Sequence, residues 1–151
     1  MELRQVRLSD PLAAPLLAGL TREYDVRYGE TDEMASVDTT VFDPPDGTFL
    51  VLVDGDEVLA GGGLRRFADG VCEVKRMWTA PGHRRKGYAA RVLDGLEDAA
   101  RAAGYSTLLL ETGPRQPEAI AFYTARGYHR IPYYGIYDQA LAFRLDLHAD
   151  P

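Results

Sequence analysis

The stretch Thr79-Ala80-Pro81-Gly82-His83-Arg84-Arg85-Lys86-Gly87-Tyr88-Ala89 decides how this chain is read. Before it, Val71 to Thr79 has the apolar and β-branched content of a strand. After it, Ala89, Val92, Leu93, Leu96, Ala99, Ala100 and Ala103 recur at helical spacing, with Gly104 where a helix ends. A strand that passes through Pro81-Gly82 into a helix leaves unpaired N–H groups at the helix start, reinforced by the helix dipole. Such a turn accepts a phosphate or pyrophosphate. Gly87 allows close approach of an anion, Ala89 keeps the helix start narrow, and Arg84, Arg85 and Lys86 add positive potential. An isolated Arg-Arg-Lys would be read as a solvated helix start. The strand before it, Gly87 with Ala89, and the long helix after it favour an anion site.

Beyond that helix, Ser106 to Glu111 is a second strand, and Pro117 to about Arg126 a second helix stopped by Gly127. Tyr128 to Ile131 and Ala140 to Leu147 close the chain as strands. Toward the N terminus, Glu2 to Leu8 reads as a strand, and Asp10-Pro11 opens a helix carrying Leu12, Leu16, Leu17 and Leu20, closed by Gly29. Thr48 to Val53 and Val58 to Phe67 are strands joined by Asp54-Gly55-Asp56-Glu57, and Ala68-Asp69-Gly70 turns into the strand at Val71. The expected fold is α/β (α+β): one mixed, mostly antiparallel twisted sheet of six to seven strands with helices on both faces.

The 151 residues fit one domain, 1–151, with a single core. The 23 acidic and 17 basic residues give a net charge of −6, which argues against nucleic acid as a partner and is compatible with a cationic amine. No run is apolar enough to span a bilayer, and the first residues lack the apolar core of a secretory signal. Cys72 is the single cysteine, so no internal disulfide forms and a cytoplasmic location is expected. The histidines lack metal-ligand spacing, so no metal is expected. There is no Gly-x-x-x-x-Gly-Lys-Ser/Thr, and Gly61-Gly62-Gly63 lies inside a hairpin, so neither a P-loop nor a dinucleotide fold applies.

Arg84-x-x-Gly87-x-Ala89 resembles the Arg/Gln-x-x-Gly-x-Gly/Ala motif of the GNAT N-acetyltransferase superfamily. Ala119-Ile120-Ala121-Phe122-Tyr123-x-x-x-Gly127-Tyr128 resembles that family's Ala-x-x-x-Tyr-x-x-x-Gly-Phe segment, at the separation the family uses. The six-residue motif is moderately specific alone; the two together are a strong signature, and the likeness is best from Val71 to Ile131. It implies direct transfer of an acetyl group from acetyl-CoA to an amine of a small molecule or a protein. The cofactor would lie on Met77, Trp78 and Thr79, on the turn Arg84, Arg85, Lys86, Gly87, Tyr88 and Ala89, and on Gln116, where many members carry an asparagine.

The resemblance assigns Tyr123 to donate to the leaving CoA sulfur. Glu73 stands where several members place a general base, and it is read equally as a surface glutamate paired with Lys75 or Arg76. Regular alternation would put Glu73, Lys75, Met77 and Thr79 on one face. Tyr24, Tyr28, Tyr133, Tyr134 and Tyr137 come from the regions that shape the acceptor pocket in the family, with Glu30, Asp32 and Glu33 nearby, and read equally as core and rim tyrosines. A CoA-binding regulatory domain without turnover is the alternative function. The oligomeric state stays open; relatives of this kind are often dimers, so a homodimer is one candidate.

Overall fold

A seven-stranded sheet carries the molecule. In a computed structural model, which describes residues 1–19, 39–112, 117–132 and 141–147, the strands run in the spatial order β1-β2-β3-β4-β5-β7-β6. They are β1 (Glu2–Gln5), β2 (Thr48–Asp54), β3 (Glu57–Ala68), β4 (Val71–Thr79), β5 (Thr107–Thr112), β6 (His129–Ile131) and β7 (Leu141–Asp146). All neighbours are antiparallel except β4 and β5, whose parallel pairing follows from the helix that joins them. The last strand, β7, inserts between β5 and β6 rather than adding to the edge.

Helical residues 14–19 (α1) and the 3₁₀ turns Pro11–Ala13 and Thr39–Phe42 cover one face; α2 (Tyr88–Ala102) and α3 (Pro117–Ala125) cover the other. Asp10 caps the first turn, its carboxylate accepting from the Leu12 N–H at 2.8 Å. Each face buries its own apolar set. Val92, Leu93, Leu96 and Ala100 of α2 pack with Cys72, Val74, Leu108, Leu110 and Phe143. Leu16, Phe42, Phe49, Val51 and Trp78 fill the opposite side. The first strand ends at Gln5, earlier than Leu8, because Leu8 turns inward to that second core.

The glycines of β3 make room for these layers. A Cβ on Gly63 would lie 2.6 Å from Phe42 Cδ1, one on Gly61 would lie 2.6 Å from Leu16 Cδ1, and one on Gly62 would overlap Met77 Sδ. The triple glycine is therefore a packing device, with large neighbours resting directly on the backbone of β3.

β4 is not a regular strand. Lys75 pairs with Gly63 and Trp78 with Gly61, so Arg76 and Met77 together oppose Gly62 alone. This is a β-bulge, and Arg76 adopts φ 62 within it. The extra residue reverses the alternation: Cys72 and Val74 face α2, but so does Met77, while Trp78 faces the opposite core. The expectation that Glu73, Lys75, Met77 and Thr79 share a face is therefore wrong. Glu73, opposite Arg65, and Lys75, opposite Gly63, lie on the Phe42 side; Met77 and Thr79 lie on the α2 side.

Candidate active site

The bulge coincides with a parting of strands. The parallel pairs of β4 with β5 run from Val71↔Thr107 to Val74↔Leu110, whereas β4 continues to Thr79 and β5 to Thr112. Past Val74, β4 is laddered to β3 alone among the described strands. A gap lined by backbone thus opens at the carboxyl ends of two parallel strands, and the chain runs from it directly into the turn at Pro81.

That turn has the geometry of an anion cradle. Arg85 and Gly87 adopt φ 65 and 81, on either side of Lys86, an alternation that points successive N–H groups to one side. Gly87 is the N-cap of α2, and no side chain caps the helix. The first carbonyl used inside the helix is that of Gly87, which accepts from Arg91 N–H at 3.2 Å. The start of α2 therefore presents uncapped N–H groups and the positive end of a 15-residue helix. Arg84, Arg85 and Lys86 are exposed around it, with Arg84 Nε donating to the Thr79 carbonyl at 3.5 Å. His83 braces the turn, its Nε2 lying 2.8 Å from a carboxylate oxygen of Glu57 in the β2–β3 hairpin.

Tyr123 lies on α3, 9% exposed, among the rings of Phe122, Tyr128 and Phe143 at 5.1, 5.5 and 5.4 Å. Burial pushes its phenol up to about 12, against a smaller opposing effect of Arg126. Its proton is therefore retained throughout the neutral range. Among the described residues no hydrogen bond takes up its hydroxyl.

Glu73 is not at the surface. It is 3% exposed, and its Oε1 accepts from Arg65 Nε at 2.9 Å across the β3–β4 ladder. The ion partner is thus a guanidinium on the neighbouring strand rather than Lys75 or Arg76 alone, because the antiparallel register sets Arg65 opposite Glu73. Glu73 also pairs with Leu109, one step before the strands part. Trp78 is 6% exposed with its indole against Gly19, so only its backbone can meet a ligand on the α2 side. Met77, Thr79, Tyr88 and Ala89 are partly exposed near the gap and turn. Gln116, Tyr24, Tyr28, Glu30, Asp32, Glu33, Tyr133, Tyr134 and Tyr137 lie outside the described residues. Among the described residues no group of acidic, histidine or cysteine side chains could hold a metal, and no helix is long and apolar enough to cross a membrane.

One cluster near Tyr123 carries no weight in the motifs. Glu97 of α2 is buried and accepts from Tyr128 Oη at 2.8 Å and from Arg126 Nη2 at 3.3 Å, while the same nitrogen reaches Asp94. The signal available in the sequence was Tyr128 itself, a tyrosine where the family pattern has phenylalanine. Its hydroxyl needs a partner once buried.

Residues 17–128 match the Acetyltransferase (GNAT) family. A curated relative, the IAA acetyltransferase of Azospirillum brasilense, is 38% identical over 105 residues, covering 69% of this chain and 67% of that protein. The chain belongs to the GNAT acetyltransferase family. An uncharacterised N-acetyltransferase of Escherichia coli K12, YjgM, is 30% identical over 145 residues, covering 87% of this chain and 83% of that protein. Among solved structures, the PaiA N-acetyltransferase of Thermoplasma acidophilum in complex with coenzyme A superposes with a TM-score of 0.72 at 15% identity, over 97% of this chain and 99% of that one. This GNAT chain is accordingly an acyltransferase, with the mixed open sheet expected from its sequence.

Proposed function

We propose that this GNAT protein moves an acetyl group from acetyl-CoA directly to a primary amine, on a small molecule or a protein, with the whole chain acting as one catalytic domain. The observation that carries the proposal is the uncapped start of α2, with positive φ at Arg85 and Gly87, placed where β4 has parted from β5. A phosphate-rich donor with a long neutral arm fits both features at once: backbone amides for its anionic end, an unpaired strand edge for its arm.

In this reading Arg84, Arg85 and Lys86 with the N–H groups of Gly87, Tyr88 and Ala89 hold the pyrophosphate. The backbone of Met77, Trp78 and Thr79 holds the arm, and Gln116 offers an amide to it. Bound acetyl-CoA supplies a thioester carbon open to attack by an unprotonated amine. An N–H at the bulge, near Arg76 or Met77, faces the thioester oxygen. Tyr123 donates a hydrogen bond to sulfur as the thiolate leaves. A phenol near 12 keeps its proton at neutral pH, so its effect stays constant with pH until strongly alkaline conditions remove it.

An alkyl ammonium titrates near 10, so the amine must lose a proton before attack. Glu73, on the Phe42 side of β4 one step before the strands part, takes that proton through water. Tyr24, Tyr28, Tyr133 and Tyr134, from the regions that shape the acceptor pocket in the family, are proposed to meet the acceptor.

The test is release of free CoA thiol from acetyl-CoA against polyamines, amino acids, aminoglycosides and peptide N termini, with CoA binding followed in parallel. The expected outcome is CoA binding that raises the Tm, together with thiol release on at least one amine class. CoA binding without thiol release on any acceptor would leave the regulatory-domain alternative. No binding at all would remove the cofactor assignment.

A further inference from the structure

The buried cluster of Glu97, Arg126 and Tyr128 lies apart from the anion turn and from Glu73, yet it converges on one residue. Two backbone N–H groups, from Arg126 and Tyr128, both donate to the Tyr123 carbonyl at 3.1 Å. Gly127, between them, adopts φ 92 and lets the chain fold back at the end of α3. The Tyr128 ring then meets the Tyr123 ring nearly edge-on, 5.5 Å away. The Arg126 guanidinium lies over Phe122, the residue next to Tyr123, at 5.6 Å.

Both folded-back side chains end on one carboxylate. Glu97 accepts Tyr128 Oη on one oxygen and Arg126 Nη2 on the other. A carboxylate is an expensive group to bury, and a Leu at this position would complete the apolar face of α2 at lower cost. Burying it here gives a fixed, two-pronged anchor in place of slippery apolar contact. That anchor belongs to α2, the helix whose first turn holds the anion site. At about 1.5 Å per residue, Glu97 lies roughly 15 Å along the axis from Gly87.

We infer that Glu97 is a positioning residue that acts through Tyr128 and Arg126. Together they fix the Tyr123 hydroxyl relative to the helix that grips the donor's phosphates. The inference rests on Tyr123 being the donor to the CoA sulfur. The anion turn sets one end of the cofactor, and the Glu97 anchor sets the group that meets the other end. Both are rigidly referred to α2, so the spacing between phosphate grip and sulfur contact is built into one helix. Tyr128 does not touch the sulfur; it serves as the wall against which the Tyr123 ring rests.

The experiment follows the thiol of bound CoA, isotopically labelled at the carbon next to sulfur and titrated by NMR, in the wild-type chain and in Tyr123→Phe, Tyr128→Phe and the double variant. A hydrogen bond from Tyr123 stabilises the thiolate, so Tyr123→Phe should raise the thiol pKa by about one pH unit. Tyr128→Phe, which removes only the anchored hydroxyl, should raise it by roughly half as much. The double variant should match Tyr123→Phe alone, because the Tyr128 effect passes through Tyr123. Glu97→Gln, which keeps an acceptor for Tyr128, should lie between wild type and Tyr128→Phe.

If Tyr123→Phe leaves the thiol unchanged, the sulfur-donor role falls, and the inference with it. If Tyr123→Phe shifts the thiol but Tyr128→Phe does not, or adds its full effect in the double variant, Tyr123 keeps its role and the Glu97 anchor is structural only. Folding of each variant is checked by Tm and by retained CoA binding, so a collapsed protein is not read as a positioning effect.

Discussion

The two halves of β4 are made from one continuous strand yet do opposite things. From Val71 to Val74 it is laddered on both sides, to β3 and to β5, and its polar group Glu73 is buried and ion-paired with Arg65. Beyond the bulge at Arg76 and Met77, the described ladder is to β3 only, and the strand leads into the uncapped start of α2. The first half recruits a side chain; the second offers backbone. A bulge lets one strand do both, because the added residue turns Met77 toward α2 while Glu73 stays on the Phe42 side. The sheet thus sets Glu73 on one face and Met77 and Thr79 on the other, so substitutions should separate the roles proposed for them.

The sharpest test of that separation is Glu73→Gln. If the first half handles the proton, kcat should fall about a hundredfold, while CoA affinity stays as it was. An equal loss of CoA affinity would merge the halves. Gly87→Val should do the reverse. A β-branched residue at φ 81 is strained by roughly 1–2 kcal/mol, so CoA affinity should weaken about tenfold. Isothermal titration reads this directly, and kcat at saturating acetyl-CoA should stay within about threefold of wild type if the halves are independent. A collapse of kcat at saturation would show that the two halves of β4 act together.

Most of the second half was legible because its signals are local. Gly87 at a strand-to-helix turn demands positive φ, and the Ala/Leu periodicity after it fits one helix face, so the expected run from Ala89 to Ala103 and the observed Tyr88–Ala102 nearly coincide. The apolar and β-branched run gives the bounds of β4 at Val71–Thr79, but not its interior. The bulge leaves no local mark: the residue at positive φ is Arg76, not glycine, and the cause is spread over Gly62, Met77 and the neighbouring strand. The same holds for Glu97. Its spacing from Leu93 and Ala100 puts it on the buried face of α2, but its partners come only from the returning chain at Arg126 and Tyr128. The insertion of β7 between β5 and β6 is likewise decided by long-range pairing. What escaped the sequence was tertiary in origin.

The smallest expected effect probes the bulge. Arg76 sits at φ 62 with its guanidinium 5.6 Å from the Phe42 ring centre. Arg76→Gly relieves a left-handed strain of about 1–2 kcal/mol. Against that, it forfeits a cation–π contact of about 0.5–1 kcal/mol, and the freer unfolded chain costs a similar amount. The opposing contributions nearly cancel, so the Tm should stay within about 3 °C of wild type and CoA affinity should be unchanged. Arg76→Val loses the same contact but worsens the strain, and should cost about 2 kcal/mol. The contrast between the two variants is the informative quantity. If valine were tolerated as well as glycine, the left-handed residue would not be needed to hold β4 apart from a regular strand. The division of β4 into a side-chain half and a backbone half would then need another cause.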